Sequence, residues 1–213
     1  MLEENRTLYS YVITRDYGFA PNPFGEYCTL ATCKPKIRKT ALKNDWIIGT
    51  GSSTIKSKMG DRLIYAMKVD EVLSFTDYWN DPRFQYKKPT MNGSKKQKYG
   101  DNIYCFDEVK QEYSQVNSHH SLADGSTNTI NLIRDTGGKN VLVSTEFWYF
   151  GKNAPLIPHT MVSDIVKKGR GYKRTKNQVI INHFTEWLTS SYKRRYNGNP
   201  ILFNKSFERY DGN

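Results

Sequence analysis

The sequence predicts an α+β fold, a mixed β-barrel or strongly curved sheet with C-terminal helices packed against it. Three observations point there. Stretches rich in β-branched and aromatic residues, some alternating in polarity, crowd residues 1–150. Apolar residues three and four apart mark residues 155–196 as helical. No internal repeat or low-complexity linker interrupts the order of strands first and helices after, so residues 1–213 read as one α+β domain.

The first strand is Leu8 to Thr14 in "TLYSYVITRD", whose Leu, Tyr, Val and Ile suit a pleated, half-buried surface. A loop holding three prolines, two glycines and two cysteines follows, "DYGFAPNPFGEYCTLATCKPKIRK". Within "KPKIRKTALK", Pro35 suits the first turn of a short helix that sets Ile37 and Ala41 on one face. "DWIIGTGSS" is a short strand ending in glycines. In "GDRLIYAMKVDEVLSF" a Gly-Asp turn opens the clearest strand, where Leu63, Tyr65, Met67 and Val69 alternate with Ile64, Ala66 and Lys68. "FTDYWNDPRF" is a short helical turn closed by Pro82. The basic, glycine-containing "QYKKPTMNGSKKQKYGDN" is a loop, and "NIYCF" a short strand. The polar run from Glu112 to Asn140 is a broken excursion with a strand near Ile130 to Ile133. "VLVSTEFWYFG" is a single strand. "HTMVSDIVKK" and "NQVIINHFTEWLTSSYKRR" are helices. In the second, Val179, Ile180, His183, Phe184, Trp187 and Leu188 form an apolar stripe, and Arg194 and Arg195 suit the negative end of the helix dipole.

Composition bounds the partners. Thirty-two Lys and Arg against 21 Asp and Glu leave a net charge of +11, a field that favours nucleic acid or nucleotides. No apolar run approaches the roughly 20 residues that span a bilayer, so no membrane partner is expected. The N-terminal stretch starts acidic and lacks an apolar signal region, which points to the cytoplasm. Cys28, Cys33 and Cys105 are an odd, low count that fits free thiols. A chain this long buries roughly 70% of its unfolded surface and needs no metal or disulfide staple. Oligomeric state is not legible.

Some segments carry candidate chemistry. "GTGSS", Gly49 to Ser53, reads either as a tight turn or as an anion cradle of Gly49, Gly51 and Ser52; it lacks the spacing of a nucleotide-binding fingerprint. Basic residues gather at Lys34 to Lys39, Lys87 to Lys98, Lys167 to Lys176 and Lys193 to Arg195. In "KKGRGYKRTK" two glycines and Tyr172 interleave with Arg170, Lys173 and Arg174. Such a segment follows a phosphate backbone, or else is a solvated linker between helices. Cys28 and Cys33 are spaced too widely for a usual metal pair, and His119 and His120 supply no clear remainder, so neither a metal nor another cofactor is assigned. Cys33, beside Lys34 at a helix start, is a candidate nucleophile set against a small buried thiol. His159, in "APLIPHT", is the better polar-site histidine, and His183 sits at a core edge. The catalytic candidates are therefore Asp16, Cys33, Lys34 and His159.

Two family resemblances add to this. The run from Asn44 to Phe84, with its "GD" turn, its "RLIYAMKVDEV" strand and its aromatic-acidic helix, resembles the centre of PUA-like barrels of the EVE and ASCH branches. These commonly hold a modified or flipped base. The strings "DYGFAPNPFGEYCTLATCKPKIRKTA", "DWIIGTGS", "LIYAMKV" and "VLVSTEFWYFG" are similar to the prokaryotic nucleotide-modification-associated domain family of the second type. That resemblance implies an α+β fold and a part in DNA base modification. It also implies that Asp16, Asn22, Cys28, Cys33, Lys34 and Arg38 of the opening loop face the same site as Gly49, Gly51 and Ser52.

The opening loop then has a use. Pro21 and Pro23 pre-set its backbone, and Asn22 offers donor and acceptor to a base edge. Phe19, Phe24, Tyr27 and Trp46 are rings for stacking, unless they pack the loop onto the core. Lys34, Lys36 and Arg38 hold phosphates. The function expected is binding of a nucleobase in nucleic acid, or of a free nucleotide, linked to DNA base modification. The alternatives are a transferase or hydrolase acting on a base or nucleotide, and an interaction subunit of a modification or phage-defence system.

Overall fold

Trp46, Ile47 and Ile48 begin a strand that is buried along its whole length, and a sheet is built on both sides of it. The computed structural model describes residues 5–53 and 58–212, so the first four residues of the acidic N-terminal stretch lie outside the described residues. The strands are β1 (Leu8–Ile13), β2 (Cys28–Leu30), β3 (Trp46–Gly51), β4 (Leu63–Lys68), β5 (Glu71–Ser74), β6 (Tyr104–Asp107), β7 (Glu112–Gln115), β8 (Asn140–Ser144), β9 (Glu146–Tyr149), β10 (Tyr172–Thr175) and β11 (Arg195–Tyr196). The helices are α1 (Pro35–Thr40), α2 (Phe75–Asn80), α3 (Lys95–Lys98), α4 (Thr129–Thr136), α5 (His159–Ile165) and α6 (Gln178–Ser191). A 3₁₀ turn covers Pro82–Lys87. The class is mixed α and β. No helix among the described residues is long and apolar enough to cross a membrane.

The chain divides into two compact units, each made of three separated stretches. The first takes residues 1–16, 41–70 and 144–201. Its six-stranded sheet runs β10-β1-β3-β4-β9-β11. β1 lies parallel to β3, and β4 pairs antiparallel with both β3 and β9. α6 covers this sheet. Its Ile181, Phe184 and Leu188 are buried, and the Phe184 ring meets Trp46 edge-on at 5.8 Å. Asn177 caps the helix, accepting from Val179 N–H at 3.0 Å. The sheet is open, with β10 and β11 as its edges, so the closed PUA-like barrel expected from the sequence is not formed.

The second unit takes residues 17–40, 71–143 and 202–213. It holds the sheet β2-β8-β5, the hairpin β6-β7 and helices α1 to α4. Its core is aromatic: Tyr17, Phe19, Phe75, Tyr78, Phe84 and Tyr104 are all buried.

Five sequence expectations change. "RLIYAMKVDEV" divides into β4 and β5, and "VLVSTEFWYFG" into β8 and β9, with the halves in different sheets. Asp70 Oδ2 accepts from the Thr145 N–H and hydroxyl at 2.6 Å each, which ties the two breaks together. Around Ile130 to Ile133 the chain is helix α4, not strand. Asn128 caps it, and Asn131 and Asp135, four apart, are its buried face while Ile130 and Ile133 are exposed. In the loop after Gln85, Ser94 and Gln97 form a reciprocal capping box that starts α3. Finally, "KKGRGYKRTK" ends as β10, paired antiparallel with β1.

The opening loop is held from inside the second unit. Lys87 reaches in from the 3₁₀ turn and donates to Asn22 O at 3.0 Å and Asn22 Oδ1 at 2.8 Å. Asn22 Nδ2 donates to Tyr99 O at 2.9 Å. Asp101, also buried, accepts from Thr29 Oγ1 at 2.7 Å and Tyr78 OH at 2.8 Å. Burial pulls the Lys87 ammonium from 10.5 down to about 8, against the opposing charge of Asp101. Replacing Lys87 with Met strands the buried Asn22 acceptors and is expected to lower stability by about 1–3 kcal/mol in urea titrations. The pH dependence has a definite sign. From about pH 8 to 10.5 the unfolded chain keeps the Lys87 proton that the folded chain has lost, so wild-type stability rises with pH relative to Lys87→Met. A pH-independent difference across that window would refute the assignment.

Candidate functional site

Two groups of side chains have the character of a site, one in each unit. In the second unit Cys33, with φ 56°, and Lys34, with φ 42°, are the two residues that precede α1. Two successive non-glycine residues in the left-handed region require support from their surroundings. The Cys33 N–H donates to Asp135 Oδ1 at 2.9 Å, and its carbonyl accepts from Arg38 Nε at 2.7 Å. The Arg38 guanidinium, fully buried, also donates to Asn140 O at 2.6 Å and to Asp135 O.

His120 lies against this backbone clamp. Its Nδ1 is 2.7 Å from Asp135 Oδ2, and its Nε2 is 3.9 Å from Cys33 Sγ. Tyr104 OH donates to the same Asp135 Oδ2 at 2.8 Å. The imidazole ring is flanked by Phe19 at 4.7 Å and Tyr210 at 5.5 Å. His120 is 1% exposed and Asp135 0%, while Cys33 is half-buried, so the sulfur is the member of the trio that reaches the surface. Burial alone disfavours the imidazolium. The Asp135 carboxylate outweighs it, with a smaller contribution from Cys33, and His120 is raised to about 9. Burial would likewise raise Asp135, but His120, Arg38 and Arg134 hold it below the usual carboxylate range. Lys34 is shifted down, first by burial and then by Arg134, with Cys33 acting the other way. The trio is thus an imidazolium–carboxylate pair with a thiol at its outer end.

In the first unit, α5 and β10 border an open cleft of about 740 Å³. His159, Lys167, Lys168 and Lys173 supply positive or ionisable groups, and Val162 and Tyr172 supply apolar surface. Lys173 Nζ donates to Ser163 O, and Lys167 Nζ to Lys168 O. Each ammonium has three donors, so these contacts orient the charge and leave it donors for a ligand.

The family model of nucleotide modification associated domain 2 matches residues 5–207. The chain belongs to this family. No curated protein and no solved structure matches it.

In this nucleotide modification associated domain, the residues expected at a site fall in different places. Asp16 is buried and accepts from Tyr149 OH and, at 3.0 Å, from Ile201 N–H. Asn22 is 1% exposed with its side chain engaged by Tyr99 and Lys87, which leaves no edge for a base. Phe19 and Phe24 are buried, Phe24 with its ring 5.9 Å from Phe203. Arg38 faces carbonyls rather than phosphates. Trp46 is fully buried between Trp148 and Phe184 and offers no face for stacking. Gly49 and Gly51 lie inside β3, where a Cβ on Gly49 would sit 2.4 Å from Ile13 and one on Gly51 2.1 Å from Met59 O. They are glycines for packing, and Ser52 is buried beside them, so among the described residues these three form no open anion cradle. Cys28, fully buried with its thiol pushed up to about 12, is inert. His159, Arg170, Lys173 and Arg174 remain along the basic segment, and Arg170 and Arg174 are exposed.

Nothing in the sequence singled out His120 and Asp135 as partners of Cys33. The spacing Asn128, Asn131, Asp135 was the available clue, because it is polar at helical intervals with isoleucines between. The Arg38 clamp can be tested directly. A lysine offers a point charge where the guanidinium fork serves three carbonyls, so Arg38→Lys should lose about 1–3 kcal/mol for each carbonyl left unpaired, measured by urea unfolding. Lys36→Met, an exposed change in the same helix, should stay within about 0.5 kcal/mol of wild type.

Proposed function

We propose that the protein binds a nucleic-acid strand along the α5–β10 cleft of its first unit and presents a nucleobase there, as its part in nucleotide modification. The observation that carries this reading is the convergence of Lys167, Lys168, Lys173 and His159 around Tyr172 in one open cleft. Cations interleaved with a ring suit a single strand: lysines neutralise phosphates and release counterions, and an aromatic face takes a base. Gly169 and Gly171, at φ 72° and 88°, give the Lys167–Lys176 segment turns that other residues rarely adopt. Exposed Arg170 and Arg174 extend the same positive run. Because the ring and cations are recessed in a cleft, the ligand is an unpaired or extruded base, or a free nucleotide, rather than a base within a duplex. The net charge of +11 and the family membership support the same ligand class.

Fluorescence anisotropy of a labelled single-stranded oligonucleotide across a salt series tests this. The Lys167→Ala, Lys168→Ala, Lys173→Ala triple variant should bind more weakly, and its slope of log affinity against log salt should shrink by about 0.7 for every phosphate that is no longer neutralised. A control triple at exposed Lys39, Lys43 and Lys110 should behave as wild type. Equal losses from both triples, or none from the first, would leave only the general affinity of a basic protein.

A further inference from the structure

We propose that Cys33, His120 and Asp135 form a thiol-nucleophile site that accepts an acyl group from a carboxamide, ester or thioester. The site shares no residue with the basic cleft, and the two readings stand or fall separately.

The geometry assigns each role. Cys33 Sγ, half-buried at the surface, is the attacking atom. His120 Nε2 faces it at 3.9 Å, near the outer limit for a contact through sulfur and open to tightening when a substrate enters. Asp135 Oδ2, at 2.7 Å from His120 Nδ1, is the positioning residue that holds the ring and balances its charge. The other Asp135 oxygen accepts from the Cys33 N–H, so one carboxylate sets both the nucleophile's backbone and the acid–base group. The paired left-handed residues Cys33 and Lys34 hold the sulfur on a sharp turn, and Arg38 pins that turn from the carbonyl side. Cys28, five residues earlier, is fully buried and has none of this.

The chemistry balances without a cofactor. Once its thiol proton has passed to solvent, the Cys33 sulfur attacks the acyl carbon and forms a C–S bond while His120 stays protonated. The bond from that carbon to nitrogen, oxygen or sulfur breaks, and the leaving group takes the proton from His120 Nε2. Water then attacks the thioester and gives its proton to His120, and the acid departs as the sulfur is regenerated. Lys34 and Arg134 are the further positive charges that act on this cluster.

The full chain and p-nitrophenyl acetate provide the test, with peptide-resolved mass spectrometry to locate the adduct. A burst of about one equivalent of p-nitrophenolate and an acetyl group on Cys33 are expected. In the same molecules half-buried Cys105 serves as the reference thiol, and Cys33 should acylate at least about 10²-fold faster. Cys33→Ser should abolish the burst at an unchanged unfolding midpoint. His120→Gln should bring the Cys33 rate down towards that of Cys105, whose own rate stays the same. Asp135→Asn should displace the pH–rate profile of acylation, which a purely packing role would not do. His120 is faced by the charges of Asp135 and Cys33 and by the rings of Phe19, His119 and Tyr210, and Asp135 is the member this change neutralises. Acylation of Cys33 no faster than Cys105 in the wild-type protein, or no acyl adduct at all, overturns the proposal without reliance on any variant.

Discussion

The Asp135 carboxylate is the constraint on which the Cys33–His120 cluster of the second unit depends. It is fully buried, yet it accepts from the Cys33 backbone, the Tyr104 hydroxyl and the His120 ring, while Arg38 binds its own main-chain carbonyl. A buried anion is tolerable only when donors surround it. Here the donors to the carboxylate come from the opening loop, from β6 and from the turn at His119–His120. One ionised group therefore draws three pieces of chain to one point. Among the described residues, the only member of the Cys33–His120–Asp135 trio left in reach of solvent is a thiol.

The same logic explains the opening loop. Its prolines, aromatics and Asn22 have the composition of a ligand-binding loop, but their partners are internal. Lys87 and Tyr99 use the hydrogen-bonding capacity of Asn22, and Phe19 and Phe24 belong to packed aromatic contacts. The rigidity serves the loop's C-terminal end: Thr32 and Cys33 emerge from a segment that is anchored at Asn22, Thr29 and Arg38. In the proposed thiol site such bracing would fix the nucleophile's backbone before substrate arrives.

Charge is likewise divided by burial. Arg38 and Lys87 contribute to the excess of positive charge, yet both are enclosed and answer to carbonyls and carboxylates. Lys167, Lys168, Arg170 and Arg174 face outward along the α5–β10 segment. The net charge of +11 therefore overstates what the enclosed clusters present at the surface.

Local pattern was sufficient for much of the fold. The strand at Leu8–Ile13, the Pro35 helix, the α2 turn and the existence of α6 follow from periodicity and capping, which are short-range physics that neighbouring residues settle among themselves. The buried face of α6 is Ile181, Phe184 and Leu188, whereas Val179 and His183 of the expected stripe are exposed. The positive "KKGRGYKRTK" and the candidacy of Cys33 were also readable, because residue type alone carries charge and nucleophilicity. Tertiary structure decided the rest. It made α4 a helix with its polar face inward, which reverses the rule that reads helices from apolar stripes. It cut two continuous apolar runs into strands of different sheets, since alternation records a pleat but not the sheet it joins. Above all it brought Cys33, His120 and Asp135 together from 87 and 15 residues apart, and no local signal encodes a meeting that depends on where the whole chain goes.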